Sequence, residues 1–263
     1  MKQLLALLLA LGATVCVQAQ DYAIKQLEES PRHQEWVKIP SNGRTLHSFV
    51  VYPEVSKKAP VVLVIHENRG LNDWARSFAD QLAAAGYIAI APDLLSECQE
   101  GIQTTSDFAT SDDARKALSN LQPDNITKDL NAVFEYAKTI AAATKDIYVV
   151  GFCWGGSQSF RYATNNPNLK SAVVFYGTAP SDSTVYSAIK APVYGFYGGA
   201  DARVNATIDQ TKKYMEANNK KYEVVIYDGA GHAFMRSGDD PNGEAPNVNA
   251  RNLAWERLKE IIK

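Results

Sequence analysis

The sequence predicts a single-domain α/β fold: a mostly parallel sheet flanked by helices, with an antiparallel hairpin at its start. Short continuous apolar runs alternate with amphipathic stretches, as expected for parallel strands buried on both faces. The chain has 263 residues, 46% of them hydrophobic, which suits one large core better than two small ones. We therefore expect one folded domain over residues 36–263.

The hairpin comes first, because residues 36–39 and 46–52 are strand-like and are joined by residues 41–44. Asn42 and Gly43 in this turn tolerate the positive φ angles that a tight hairpin needs. The later predicted strands are residues 61–65, 87–91, 147–150, 172–176, 193–197 and 223–227. The predicted helices are residues 74–85, 127–141, 158–163, 208–217 and 247–262. Residues 96–111 interrupt this alternation and are expected to form a loop beside a binding crevice.

The first 19 residues have the pattern of a secretory signal peptide. Lys2 gives a positive start, residues 4–15 are apolar, and residues 17–19 offer small side chains before Gln20. A membrane anchor is the alternative, but the apolar run is shorter than the roughly 20 residues of a spanning helix. We expect an exported protein, periplasmic or secreted, with no stable membrane insertion after cleavage and with residues 20–35 as a loosely held N-terminal arm.

The charge balance excludes some partners. Lys and Arg total 27 against 29 for Asp and Glu, so no excess charge favours nucleic acid or an anionic membrane. We expect a monomer whose partner is a small molecule.

The motif with the most chemical content is residues 149–156, an apolar run that ends in a cysteine among glycines. It matches G-x-S-x-G, in which a sharp strand-to-helix turn exposes a nucleophile, with Cys153 in the serine position. Two alternatives remain open: an inert core cysteine, and a disulfide with Cys98, since exported chains often pair their cysteines.

Two further residues follow predicted strands in the order expected for a triad. Asp201 would orient His232, and His232 would take the thiol proton of Cys153. Asp201 could instead be only a helix cap, and His232 only a loop residue. The candidate oxyanion donors are the backbone N–H of Trp154, which follows the nucleophile, and that of Asn68, in the loop after the predicted strand at residues 61–65.

Several motifs together resemble the dienelactone hydrolase (carboxymethylenebutenolidase) family from about Trp36 onward. They are His66-Glu67-x-x-Gly70, Ala91-Pro92-Asp93-Leu94, Gly-Phe-Cys-Trp-Gly-Gly at 151–156, Gly198-Gly199-Ala200-Asp201 and Gly231-His232-Ala233-Phe234-Met235-Arg236. The resemblance implies an α/β-hydrolase fold and hydrolysis of lactones and other esters by a Cys-His-Asp triad, without cofactor or metal.

The resemblance also implies roles for two charged residues and a difference at a third. Glu67 would contact the resting thiol and help to form the thiolate, although it could be a solvated loop carboxylate. Arg236 would bind a substrate carboxylate. Glu97 stands where the family has a second arginine, which would disfavour an anionic substrate; Arg69 or Arg115 could substitute.

The sequence therefore predicts an exported cysteine hydrolase that cleaves an ester or lactone through an acyl-thioester on Cys153. The alternatives are a thioesterase or other acyl hydrolase on the same fold, or a non-enzymatic binding protein with a Cys98–Cys153 disulfide. Trp154, Tyr176 and Phe234 are candidates for an apolar pocket, with a core role equally open for each.

Overall fold

The structure is a computed structural model that describes residues 21–263, so the predicted signal peptide lies outside the described residues. One eight-stranded sheet has the order β1-β2-β4-β3-β5-β6-β7-β8. Its strands are β1 Gln34–Ser41, β2 Arg44–Val51, β3 Ala59–Ile65, β4 Ile88–Pro92, β5 Ala143–Phe152, β6 Ala172–Phe175, β7 Val193–Gly198 and β8 Tyr222–Tyr227. The first two strands form the predicted hairpin, with Asn42 at φ 52° and Gly43 at φ 73°.

All pairings after the hairpin and the β2–β4 contact are parallel. The carboxyl ends of β3, β5, β7 and β8 therefore face the same edge of the sheet, where loops can bring their side chains together. The α/β fold predicted from the alternating apolar runs is confirmed.

Nine α-helices occur in the described part of the chain. They are α1 Asp21–Glu28, α2 Asp73–Ala84, α3 Ser111–Ser119, α4 Pro123–Thr139, α5 Trp154–Ala163, α6 Ala202–Asn205, α7 Ile208–Ala217, α8 Phe234–Ser237 and α9 Ala245–Ile261. Two apolar clusters lie on opposite faces of the sheet. Strand β4 is buried along its whole length, as expected for a strand covered by helices on both faces.

The N-terminal arm is held more firmly than the sequence predicted. Residues 21–28 form a helix whose Ala23 is fully buried. Beyond it, the Arg32 guanidinium binds the buried Asp80 carboxylate of α2, with an Nη2–Oδ2 distance of 2.5 Å. A buried carboxylate needs such a partner, and Asp80 is distant in sequence from the arm.

Helix α3 was not predicted, because its residues are mostly polar. The cue was a capping pattern: Thr110 Oγ1 accepts the N–H of Asp113 and donates to the Asp113 carboxylate, which stabilises a helix start. Within residues 21–263, no helix combines the length and apolar character needed to cross a bilayer.

Candidate active site

Cys153 lies at a strained turn between β5 and α5. Its backbone has φ 56° and ψ −115°, a conformation that L-residues avoid unless the surroundings enforce it. The Cys153 N–H donates to the Phe175 carbonyl at 3.0 Å, which ties the turn to β6. The turn thus presents the thiol at the first residue before a helix, as the motif predicted.

Small residues permit this turn because backbone segments touch there. A Cβ on Gly151 would lie 2.0 Å from the Gly155 carbonyl oxygen, and one on Gly155 would lie 2.3 Å from the His66 oxygen. On Gly156, a Cβ would lie 2.5 Å from the Phe175 oxygen. Only glycine fits where backbones approach this closely.

The predicted partners of Cys153 meet it at the carboxyl edge of the sheet. His232 Nε2 lies 3.1 Å from Cys153 Sγ, and His232 Nδ1 lies 2.5 Å from Asp201 Oδ2. Asp201 also caps α6, since its Oδ1 accepts the Val204 N–H. The two uses considered for Asp201 therefore coexist.

The surroundings favour a neutral resting thiol. Burial raises the pKa of Cys153, and the nearby Glu67 carboxylate raises it further. The backbone N–H groups of Trp154 and Asn68 and the Arg203 charge act in the opposite direction and lower this pKa. A base is therefore needed to form the thiolate, and the two backbone donors lie close enough to the sulfur to lower its pKa.

Glu67 is paired with protein groups other than the thiol. Its Oε2 accepts from Arg236 Nε at 2.8 Å and its Oε1 accepts from the Tyr176 hydroxyl at 3.3 Å. The carboxylate is buried, so this pairing offsets its desolvation. The contact with the resting thiol that the resemblance implied is replaced here by an ion pair with Arg236.

A cavity of about 410 Å³ opens over the thiol. Its lining includes Asn68, Arg115, Cys153, Trp154, Tyr176 and Arg203. Phe234 is fully buried and packs on the Tyr176 ring at 5.3 Å, so it belongs to the core. Trp154 and Tyr176 do line the cavity.

The structure corrects the placement inferred for Glu97. Its carboxylate accepts the Thr45 N–H at 2.7 Å, and Glu97 is not among the residues that line the cavity. The cations on the cavity wall are Arg115 of α3 and Arg203 of α6. The cavity wall therefore offers positive rather than negative charge to an anionic substrate.

Arg203 was not identified from the sequence, although it follows Asp201 by two residues at the end of a strand. Arg69, the other substitute considered, is exposed and does not line this cavity.

Cys98 and Cys153 are both free thiols among the described residues. Cys98 packs with Leu95, Ala114 and Leu118, and burial raises its pKa. Within residues 21–263, no three His, Cys, Asp or Glu side chains are grouped so that they could hold a metal ion.

Comparisons with known proteins agree with this architecture. The sequence model of the "Dienelactone hydrolase family" matches residues 46–263. A Salmonella typhimurium protein named "Putative carboxymethylenebutenolidase" is 35% identical over 234 residues, covering 84% of each chain. A Methylorubrum extorquens protein of the same name is 34% identical over 238 residues, covering 86% of this chain and 79% of that one.

A solved structure also has a similar fold. The crystal structure of a Klebsiella pneumoniae protein named "Putative Dienelactone Hydrolase" superposes with a TM-score of 0.77 at 26% identity, covering 88% of this chain and 98% of that one. The chain therefore belongs to the dienelactone hydrolase family, with the α/β-hydrolase fold, and is a hydrolase of that type.

Proposed function

We propose that the protein is an exported cysteine hydrolase that cleaves an ester or lactone through Cys153, His232 and Asp201. The observation that carries the proposal is the position of the His232 ring, whose two nitrogens lie 3.1 Å from the Cys153 sulfur and 2.5 Å from Asp201. This arrangement suits a general base that is oriented by a carboxylate.

The reaction begins with transfer of the Cys153 proton to His232 Nε2, while Asp201 stabilises the resulting imidazolium. The thiolate attacks the acyl carbon, a C–S bond forms, and the carbonyl electron pair moves to oxygen. The N–H groups of Trp154 and Asn68 stabilise this oxyanion. Collapse expels the alcohol oxygen, which takes the proton from His232 and leaves a thioester on Cys153.

Hydrolysis of the thioester uses the same residues, with water in place of the thiol as the nucleophile. His232 accepts a proton from water, the hydroxyl oxygen bonds to the acyl carbon, and the C–S bond breaks. The sulfur regains its proton from His232, and the carboxylic acid leaves. In a lactone, the alcohol and the acid are ends of one molecule, so one ring-opened product is released.

Glu67 and Arg236 give the site a second means of activating the thiol. Arg236 pairs with Glu67 at 2.8 Å but is not among the residues that line the cavity over the thiol, so a carboxylated substrate would release Glu67 only if it extended beyond that lining. Glu67 lies near enough to affect the Cys153 thiol electrostatically, and we propose that, once freed, it moves into contact with the thiol and accepts its proton. This route would favour thiolate formation when an anionic substrate is bound.

The decisive experiment compares Cys153→Ala with the matched control Cys98→Ala. We expect Cys153→Ala to lose about 10⁴-fold or more in kcat on a panel of neutral and carboxylated esters, lactones and thioesters, since the nucleophile is gone. Cys98→Ala should retain wild-type turnover. Mass spectrometry after rapid quenching should find the acyl adduct on Cys153 alone.

Wild-type turnover by Cys153→Ala would overturn the proposal. Iodoacetamide should label Cys153 stoichiometrically at neutral pH in the wild type and poorly in His232→Ala, because the base is then absent. Export is supported by the signal-like residues 1–19. The mass of protein recovered from an exported fraction should correspond to a mature chain that begins at Gln20.

A further inference from the structure

His66 is a buried histidine that the proposed reaction does not use. It follows β3 directly, and its side chain has no solvent exposure. Its ring stacks on the Trp154 ring with centroids 5.6 Å apart and planes 12° apart. A fully buried imidazole needs partners for both nitrogens, so its hydrogen bonds determine what it does.

The hydrogen bonds of His66 fix its tautomer. The Leu94 N–H lies 3.3 Å from Nε2, and because a backbone amide only donates, Nε2 must be the unprotonated nitrogen. Nδ1 therefore carries the hydrogen and donates to the Glu67 carbonyl oxygen at 2.8 Å. The carboxylates of Asp93 and Glu67 raise the pKa of His66, but burial has the larger effect and lowers it, so the ring stays neutral.

The Glu67 carbonyl belongs to the same peptide unit as the Asn68 N–H. That unit is planar and trans, because no cis peptide occurs among residues 21–263, so its C=O and N–H point in opposite directions. One end is held by His66. The other end is the Asn68 N–H, and Asn68 lines the same cavity as Cys153 and lowers the pKa of its thiol.

We propose that His66 is a positioning residue whose Nδ1–H holds the Glu67–Asn68 peptide so that the Asn68 N–H points at the oxyanion. The inference rests on the proposed function, since the oxyanion forms only if Cys153 attacks an acyl carbon. His66 transfers no proton in this role. It acts on the reaction through a backbone donor.

The far end of the same loop is anchored independently. Leu71 N–H donates to Thr105 Oγ1 at 3.1 Å, and Thr105 Oγ1 donates to Asp93 Oδ1 at 2.7 Å. A substitution at His66 therefore leaves this second anchor in place. We expect such a variant to fold and to differ from the wild type mainly in the orientation of one peptide.

Two variants separate the hydrogen bond from the ring stacking. His66→Asn places an amide N–H near the Nδ1 position but gives up the aromatic ring, whereas His66→Phe keeps a ring against Trp154 but has no donor. We expect His66→Phe to lower kcat by about 10- to 100-fold with KM within about twofold, a fraction of the loss seen when an oxyanion donor is removed. His66→Asn should stay within a few-fold of wild type.

A trifluoromethyl ketone gives a second readout, because it forms a tetrahedral adduct with the thiol and needs the same donors. The affinity of His66→Phe for this ketone should fall by the same factor as its kcat. The affinity of His66→Asn should remain close to that of the wild type. The inference would be overturned if His66→Phe and His66→Asn lost kcat and ketone affinity equally. It would also be overturned if His66→Phe kept wild-type kcat and ketone affinity. Wild-type turnover by Cys153→Ala would instead overturn the proposed function, so the two failures are distinguishable.

The tautomer can also be measured in the unmodified protein, which covers the case of a variant that does not fold. ¹⁵N NMR of labelled histidines should show His66 protonated on Nδ1 and not on Nε2. The signal should not titrate between about pH 5 and about pH 8, the range in which exposed histidines change charge. A proton on Nε2, or a ring that titrates in this range, would contradict the proposed role.

Discussion

The turn at Cys153 and the cavity wall opposite it are built in different ways. At the turn, backbone meets backbone, and a methyl group on Gly155 would lie 2.3 Å from the His66 oxygen. On the wall, Arg203 is exposed and the Arg115 side chain is 55% exposed. The position of the nucleophile is thus fixed by main-chain packing, whereas the charge offered to a substrate comes from long side chains in water.

This difference has an energetic counterpart. Buried backbone contacts have no room to relax, so an added carbon must displace a strand or a helix. The Arg115–Asp112 pair, at 3.3 Å on the surface, is of a kind that contributes about 0–1 kcal/mol. We expect substitutions at the turn to affect folding and turnover together, and substitutions on the wall to affect substrate binding and thiol reactivity with little effect on folding.

The largest expected effect is that of Gly155→Ala. Its Cβ would lie 2.3 Å from the His66 oxygen and 2.4 Å from the Ile65 oxygen, and neither backbone atom can move without shifting β3. We expect a loss of about 3 kcal/mol in the free energy of unfolding, read from urea denaturation, and a large fall in kcat.

The matched control is Gly231→Ala, which makes the same substitution near His232. The added Cβ at Gly231 would have one heavy atom within 4 Å, Asn247 Oδ1 at 3.8 Å. A change within about 0.5 kcal/mol is expected, because a compatible Gly→Ala substitution mainly restricts the unfolded chain. Equal destabilisation in both variants would show that close backbone packing is not special to the turn.

An intermediate effect is expected for Arg203→Ala. Because Arg203 lines the cavity, KM for a carboxylated ester should rise about 3- to 10-fold, with little change for a neutral ester of the same size, and the difference should shrink as salt is added. The Arg203 charge lowers the pKa of Cys153. Its loss should therefore shift iodoacetamide labelling of the thiol to higher pH.

Lys116→Ala is the control for Arg203. This lysine is an exposed cation on α3, paired with Asp113 at 3.5 Å, and it does not line the cavity. If Lys116→Ala and Arg203→Ala changed KM equally, the effect would come from net charge rather than from a contact with the substrate.

The smallest effect is expected for Glu97→Arg. The Glu97 carboxylate is bound to the Thr45 N–H at 2.7 Å and lies outside the cavity lining. Turnover of a carboxylated lactone at physiological salt should therefore stay within about twofold of wild type, since exposed charges at a distance are screened. A tenfold gain in kcat/KM would instead place residue 97 against the substrate.

Local patterns explain why the sequence could predict that Cys153, Asp201 and His232 lie together, but not which cations line the cavity. Alternating apolar runs located the strands, and the glycines around Cys153 marked its turn, because both depend on neighbours in sequence. Asp201 and His232 were found because each follows a strand. The Cys153, His232 and Asp201 roles themselves await the experiments above.

Two of the failures involve contacts between distant segments. Glu97 was placed by alignment with a motif, but its carboxylate binds a residue 52 positions away. The arm at residues 20–35 looked polar and loose, yet Arg32 pairs with Asp80. Helix α3, which brings Arg115 to the cavity, was missed for a local reason. Its residues are mostly polar, and the capping pattern at Thr110 was its only sequence signal.

The Glu67–Asn68 peptide has a consequence for which amino acids position 68 can accept. A donor that belongs to the main chain is encoded by no particular side chain, so every amino acid except proline at position 68 would supply it. A substitution at position 68 therefore changes a side chain of the cavity lining but keeps the N–H. Under the proposed role of His66, the aim of this donor depends on a side-chain N–H at position 66 rather than on the identity of residue 68.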